Sequence, residues 1–240
     1  MADKPDLLLL PGMLCDRAAW AAQLDGLADL CTPRVLDFGG ADSIETMAAM
    51  TLADAPPRFA LAGHSMGGRV AQAVYRRAPE RVTHLALLAT DYRGHLDEPA
   101  HAAEAARRDG MLARVAAIGL GEFSKAWASQ IVSPARLDDA ALLAAIAQMM
   151  TRHTPAQLAA QTLAGLTRPD FADLLPRIAC PMLVMAGTDD TLRPAAVHRE
   201  IATHIPQSKL EVLEHCGHMI AMEQPAAVTA AMRRWLVEEI

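Results

Sequence analysis

The stretch Arg58-Phe-Ala-Leu-Ala-Gly-His-Ser-Met-Gly-Gly-Arg-Val-Ala-Gln-Ala-Val-Tyr75 passes from an apolar run into a helical pattern across the pentapeptide Gly63-His64-Ser65-Met66-Gly67. A strand that turns this sharply into a helix strains the backbone of the residue at the apex and demands small neighbours on both sides. Gly63 and Gly67 supply them, so Ser65 is expected at the apex with its hydroxyl lifted clear of the sheet. The free N–H groups and positive dipole end of the following helix favour negative charge developing beside it. Ser65 is therefore the candidate nucleophile.

Working outward, short apolar runs recur at Asp6–Leu10, Arg34–Phe38, Phe59–Ala62, His84–Ala89, Pro181–Ala186 and Lys209–Leu213. Most are continuously apolar, as parallel strands covered on both faces are. Helical patterns at about 16–30, 43–53, 66–78, 194–203 and 225–238 alternate with them, several opened by Asp, Ser or Pro. The alternation predicts a mostly parallel α/β sheet flanked by helices. From about 97 to 170 only helical periodicity is found, and Ala140–Met150 repeats apolar residues at spacings of three and four. This reads as a helical cap inserted over the carboxyl ends of the strands, where ligands of open α/β sheets bind. Residues 1–96 and 171–240 are then the core domain, and 97–170 the cap.

Composition narrows the function classes. A chain of 240 residues, 52% hydrophobic and 21% charged, suits one globular domain with a large core. A net charge of −6 with scattered Lys and Arg lacks the electrostatic footprint of a nucleic-acid binder. The N-terminus shows no basic-then-apolar signal pattern, and no apolar run approaches the roughly 18 residues of a membrane span, so a cytoplasmic protein is expected. Cys15, Cys31, Cys180 and Cys216 form no CxxC pair and are expected as reduced thiols.

A serine hydroxyl is a weak nucleophile and needs a base, normally a histidine whose other ring nitrogen is held by a carboxylate. Two segments after the elbow offer these groups. Gly187-Thr-Asp189-Asp190-Thr-Leu-Arg-Pro194 follows one strand, and Glu214-His215-Cys216-Gly217-His218-Met-Ile-Ala-Met-Glu223-Gln-Pro225 follows the last. Asp189 and Asp190 compete as the acid, and Asp91, directly after the strand 84–89, is a third candidate. His215 and His218 have no third ligand nearby, so no metal site is expected. His64 is read as packing beside the nucleophile, Asp16 as a helix N-cap, Trp20 as core or pocket floor, and Glu223 as a brace for the histidine loop.

The three motifs G-x-S-x-G, G-x-x-D-x-x-x-P and G-H-x-x-x-x-E-x-P occur here in order, and together they resemble those of the α/β-hydrolase superfamily over nearly the whole chain. The resemblance implies Ser65 as nucleophile, Asp190 as orienting acid and His218 as general base. It also implies an oxyanion hole from the backbone N–H groups of Met66 and Met13, although Pro11 stands where a histidine is commoner. The implied activity is cofactor-free hydrolysis of a small or medium carboxylic ester through an acyl-enzyme. A serine at the elbow argues against the relatives that use aspartate there. Enol-lactonases, thioesterases, carbon–carbon bond hydrolases, perhydrolases and hydroxynitrile lyases share the serine. A ligand-binding receptor with slow or no turnover is the alternative from another class. Arg93, His95, Arg107, Arg108 and Arg152 are either a grip for an acidic substrate or a solvated face. The expected partner is a small-molecule substrate, with no nucleic acid and no membrane, the chain acting alone or as a homodimer.

Overall fold

A computed structural model of the chain describes residues 4–94, 97–205 and 207–238. Its strands are β1 (Asp6–Leu10), β2 (Thr32–Val35), β3 (Phe59–His64), β4 (Val82–Leu88), β5 (Met182–Gly187) and β6 (Lys209–Leu213). They form one sheet in the order β2-β1-β3-β4-β5-β6, with every pair parallel. The α/β-hydrolase architecture expected from the sequence is what the chain adopts.

Side chains alternate across this sheet, and both faces are covered. Leu7, Leu9, Ala62, Leu88 and Met185 join one core cluster, whereas Leu8, Leu10, Leu61, Leu87 and Val184 join the other. The inner strands must therefore be apolar along most of their length, whereas the edge strands β2 and β6 keep polar residues such as Arg34, Lys209 and Glu211. On the first face pack α1 (Ala21–Gly26), α8 (Ile220–Glu223) and α9 (Pro225–Leu236); on the second, α2 (Ile44–Asp54), α3 (Met66–Arg77) and α7 (Ala195–His204). The chain leaves β1 toward β2 on one side and β3 on the other, so the sheet reverses its order between β1 and β3. Ligand sites form at such reversals, and the turns after β1 and β3 both end there.

Between β4 and β5 the described residues hold helices alone: α4 (Glu98–Ile131), α5 (Ala140–Thr151) and α6 (Pro155–Leu166). Gly119 interrupts α4 with φ 79° and ψ 157°, a left-handed position that glycine occupies without a Cβ penalty. The kink lets residues of both halves, Met111 before it and Trp127 and Ile131 after it, reach one cavity. Val115, Phe123, Ile131 and Met149 join the core cluster of the first sheet face.

Two elements differ from the sequence reading. The second strand runs Thr32–Val35 and not Arg34–Phe38, because pairing with β1 sets its register from Asp6 opposite Thr32 to Leu9 opposite Val35. Pro33 is tolerated there because β2 is an edge strand. Phe38 owes its apolar character to burial from a loop. The helix expected at 16–30 is a 3₁₀ turn, Arg17–Trp20, followed by the short α1.

Candidate active site

Ser65 stands between β3 and α3 with φ 53° and ψ −114°, a conformation that costs an L-residue about 1–3 kcal/mol. The surroundings enforce it. A Cβ on Gly63 would lie 2.2 Å from the Gly67 carbonyl oxygen, and one on Gly67 would lie 2.2 Å from that of Leu10. The Ser65 amide donates to Leu88 O at 2.9 Å, and the Thr90 hydroxyl donates to Ser65 O at 2.6 Å. Thr90 is itself held, its amide donating to His198 Nε2 at 2.9 Å.

His218 comes from the loop after β6 and places Nε2 2.9 Å from Ser65 Oγ. Its Nδ1 lies 2.8 Å from Asp190 Oδ2. An ionised carboxylate can only accept, so Nδ1 carries the proton and Nε2 is left as the acceptor facing the serine hydroxyl. Asp190 is buried, and its other oxygen accepts the amides of Leu192 and Arg193, each at 2.9 Å. Burial alone would raise its pKa, but the adjacent His218 and these hydrogen bonds outweigh burial and hold the carboxyl below its ordinary value.

The competing acids are engaged elsewhere. Asp189 Oδ2 accepts the Ser133 hydroxyl at 2.5 Å. Asp91 accepts the Arg93 amide at 3.0 Å and faces Arg69 at 3.6 Å. His64 is buried with Nε2 2.8 Å from the His218 carbonyl oxygen; burial and the neighbouring His218 push its pKa down to about 4, so it is neutral and donates there. Glu223 accepts the amides of Ser133, Gly217 and Met219 at 2.8–3.0 Å, bracing the histidine loop. His215 is exposed, and among the described residues no group of three or more His, Cys, Asp or Glu is arranged to hold a metal.

Met66 is the first residue of α3, so its N–H has no partner within the helix. The Met13 N–H likewise donates to no acceptor among the described residues. The loop carrying Met13 is shaped by a turn from Cys15 N–H to Gly12 O at 3.1 Å, by Leu14 at φ 56°, and by Leu14 N–H donating to Gln161 of α6 at 2.8 Å. Gln161 has no signature in the sequence; its role rests on a contact between residues 147 positions apart.

These groups open on a cavity of about 170 Å³ lined by Met13, Ser65, Met66, Trp127, Met150, Met219 and others. Five arginines also line it: Arg69, Arg107, Arg108, Arg168 and Arg193. Of the basic residues singled out from the sequence, Arg107 and Arg108 are among them. Arg152 pairs with Asp16 at 2.6 Å, and Arg93 pairs with Glu200. His95 lies outside the described residues. Cys15 shares the lining, but burial pushes its thiol up to about 12, so no thiolate competes with Ser65.

A family model described as Hydrolase_4, serine aminopeptidase S33, matches residues 40–225. The chain belongs to this hydrolase family. Among solved structures the hydrolase is similar to a thermophilic esterase from Thermogutta terrifontis, described as malate bound, at 31% identity, TM-score 0.84, and 98% and 90% coverage of the two chains. It shares its fold with an enol-lactonase from Burkholderia xenovorans LB400 at 22% identity, TM-score 0.83, and 99% and 92% coverage. Among curated proteins it is similar to a pimeloyl-[acyl-carrier protein] methyl ester esterase from Nitrosomonas europaea, 26% identical over 232 residues, covering 89% of this chain and 88% of the relative. Another of that name, from Aromatoleum aromaticum, is 28% identical over 240 residues, covering 93% and 94%. No helix among the described residues is long and apolar enough to cross a membrane.

Proposed function

We propose that the protein hydrolyses carboxylic esters of small-molecule substrates through an acyl-enzyme on Ser65. The observation that carries this reading is the continuous chain Ser65–His218–Asp190, at 2.9 and 2.8 Å, opening on a mostly apolar, roofed cavity. His218 Nε2 takes the hydroxyl proton as Ser65 Oγ bonds to the ester carbonyl carbon. The carbonyl π pair moves onto its oxygen, which the Met13 and Met66 amides receive. Collapse re-forms the carbonyl and expels the alcohol, which leaves with the proton from His218. A water then gives its proton to His218 and attacks the acyl carbon, and the second collapse returns that proton to Ser65 and releases the acid. Asp190 keeps the imidazole in the tautomer that both halves need.

The cavity also bears on the bond cleaved. An aminopeptidase has to receive a substrate ammonium group, for which a carboxylate is the natural partner. The described residues lining this cavity include five arginines and no carboxylate. That lining supports an ester over a peptide with a free amino terminus, in keeping with the esterase names of the relatives and with the malate of the Thermogutta protein. Ser65→Ala should lower turnover of a chromogenic butyrate ester by at least about 10⁴-fold while the circular dichroism spectrum and melting temperature are retained. Full turnover by that variant refutes the reading. Tight ligand binding by the wild-type protein with no second turnover would instead mark a receptor.

A further inference from the structure

The arginines of the cavity outnumber the carboxylates paired with them among the described residues. Arg69 lies in the first turn of α3, four residues after Ser65, where the helix dipole disfavours a cation. It is only 3% exposed. One guanidinium nitrogen donates to Arg93 O at 2.7 Å, whereas Nη2 is buried without a hydrogen-bond partner and stands 3.6 Å from Asp91. Arg193, on the turn that carries Asp190, donates to Leu192 O at 2.6 Å and has no carboxylate within salt-bridge distance among the described residues. Arg108 and Arg168 lie 2.7 and 2.9 Å from one and the same carboxylate, that of Glu104, and Arg107 lies 3.9 Å from it. Among the described residues the lining thus carries five guanidinium groups, with Glu104 and Asp91 as acids paired to four of them. Burial works against the charge of both Arg69 and Arg193; the positive charge of Arg168 opposes both as well, that of Arg193 also opposes Arg69, and Asp91 and Glu104 favour the charge of each. A guanidinium keeps its proton even so, which leaves a positive cavity in a chain whose net charge is −6.

We infer that Arg69 and Arg193, backed by Arg108 and Arg168, form a subsite for a carboxylate carried by the ester substrate, so that the preferred substrate is an ester that also bears a free acid group. This rests on the esterase reading of Ser65 and adds the substrate class. A planar carboxylate matches the fork of a guanidinium, and in a site closed by the cap the pairing is charge-assisted and little screened. The subsite opens into the same cavity as Ser65, so one small molecule can present its acid to the arginines and its ester to the serine.

The test uses monomethyl half-esters of dicarboxylic acids with four to eight carbons, each against its own dimethyl diester, a neutral molecule of nearly the same size. In wild type, kcat/KM for the half-ester of the best length should exceed that for its diester by at least about tenfold, as charged hydrogen bonds of ordinary strength imply. Arg193→Gln should collapse that ratio about tenfold or more, chiefly through KM of the half-ester, and Arg193→Lys should restore part of it. Arg69→Gln should act likewise, with its melting temperature measured alongside because Arg69 also holds Arg93 O. A wild-type ratio near one, or a ratio unmoved in Arg193→Gln, overturns the assignment while leaving Ser65 as the nucleophile. A binding arm is independent of turnover: Ser65→Ala titrated calorimetrically with free glutarate and adipate should bind, and Ser65→Ala/Arg193→Gln should bind at least about tenfold more weakly. Absence of binding, or tighter binding of inorganic phosphate than of either dicarboxylate, overturns the carboxylate subsite. Failure of the esterase reading shows up separately, as ester turnover that persists in Ser65→Ala.

Discussion

His64 sits one residue before Ser65, the proposed nucleophile, and donates from Nε2 to the carbonyl of His218, the proposed base, so the two histidines hold each other's positions without exchanging protons. Its pKa is pushed down to about 4 in the folded protein by burial, against an ordinary value of 6.5. Between those pH values the unfolded chain binds the proton and the folded one does not, so stability is fully present above pH 6.5 and is lost as pH falls toward 4. The loss is on the order of 3 kcal/mol for a pKa difference of this size. Melting temperatures of wild type and His64→Gln across this window check it: the wild-type curve should fall more steeply with acidification, and parallel curves would refute the assignment. For Asp190→Asn the expectation is a fall in kcat of about 10³–10⁴-fold, since an amide in place of the carboxylate no longer fixes the tautomer of His218; steady-state kinetics on a neutral ester measure it. Ser65, Asp190 and His218 are nominated from the sequence because three short motifs at strand ends resemble those of the α/β-hydrolase superfamily, and the structure brings the three side chains within hydrogen-bond distance of one another. Of the arginines of the cavity, Arg107 and Arg108 are picked out in the sequence as either a grip or a solvated face, whereas Arg69, Arg168 and Arg193 are not, because they converge from α3, the segment after α6 and the acid turn, and such convergence has no spacing along the chain.

At the scale of elements, the elbow works because two segments of backbone touch where side chains would ordinarily keep them apart. Gly67→Ala would drive a Cβ to 2.2 Å from Leu10 O and 2.7 Å from Pro11 O, at the root of the loop that carries Met13. The variant should lose about 3 kcal/mol or more of stability, read by urea denaturation, and lose ester turnover with it. Glu223 joins a cap segment to the histidine loop through three backbone amides. Glu223→Gln offers one acceptor oxygen where the carboxylate has two, and should cost about 1–3 kcal/mol and lower kcat as the loop of His218 loosens; chemical denaturation and single-turnover kinetics report the two effects. Strands β1, β3 and β5 are readable from the chain because burial on both faces demands nearly uninterrupted apolar residues. The edge strand β2 is not, since with less of it covered its register follows from pairing with β1 more than from its own composition. Gly119 escapes notice for a similar reason: a glycine among helix-forming residues gives no local sign that the helix bends there.

Across the whole molecule, the cap meets the core at more than the rim of the cavity. Gly119→Ala would force a Cβ into a left-handed conformation, straightening or destabilising α4 and pulling Met111 and Trp127 out of common alignment. Turnover of neutral and acidic esters should fall together in that variant, which steady-state kinetics on both can verify and which separates it from the arginine substitutions. The chain of the cap is tied to the loop of His218 between α4 and α5. At its exit from α4, the His218 amide donates to Ile131 O at 2.8 Å, the Ser133 hydroxyl to Asp189 at 2.5 Å and the Ser133 amide to Glu223 at 2.8 Å. A Cβ on Gly217 would strike this same junction, 2.5 Å from Ser133 N. The residues around 131–133 therefore hold the loop of His218, the proposed base, as much as they form the roof. Grafting a lid from another hydrolase onto this core, as a route to new substrates, should succeed when the splice preserves Ile131-Val132-Ser133 and fail when the splice crosses it, whatever the lid's own pocket can hold.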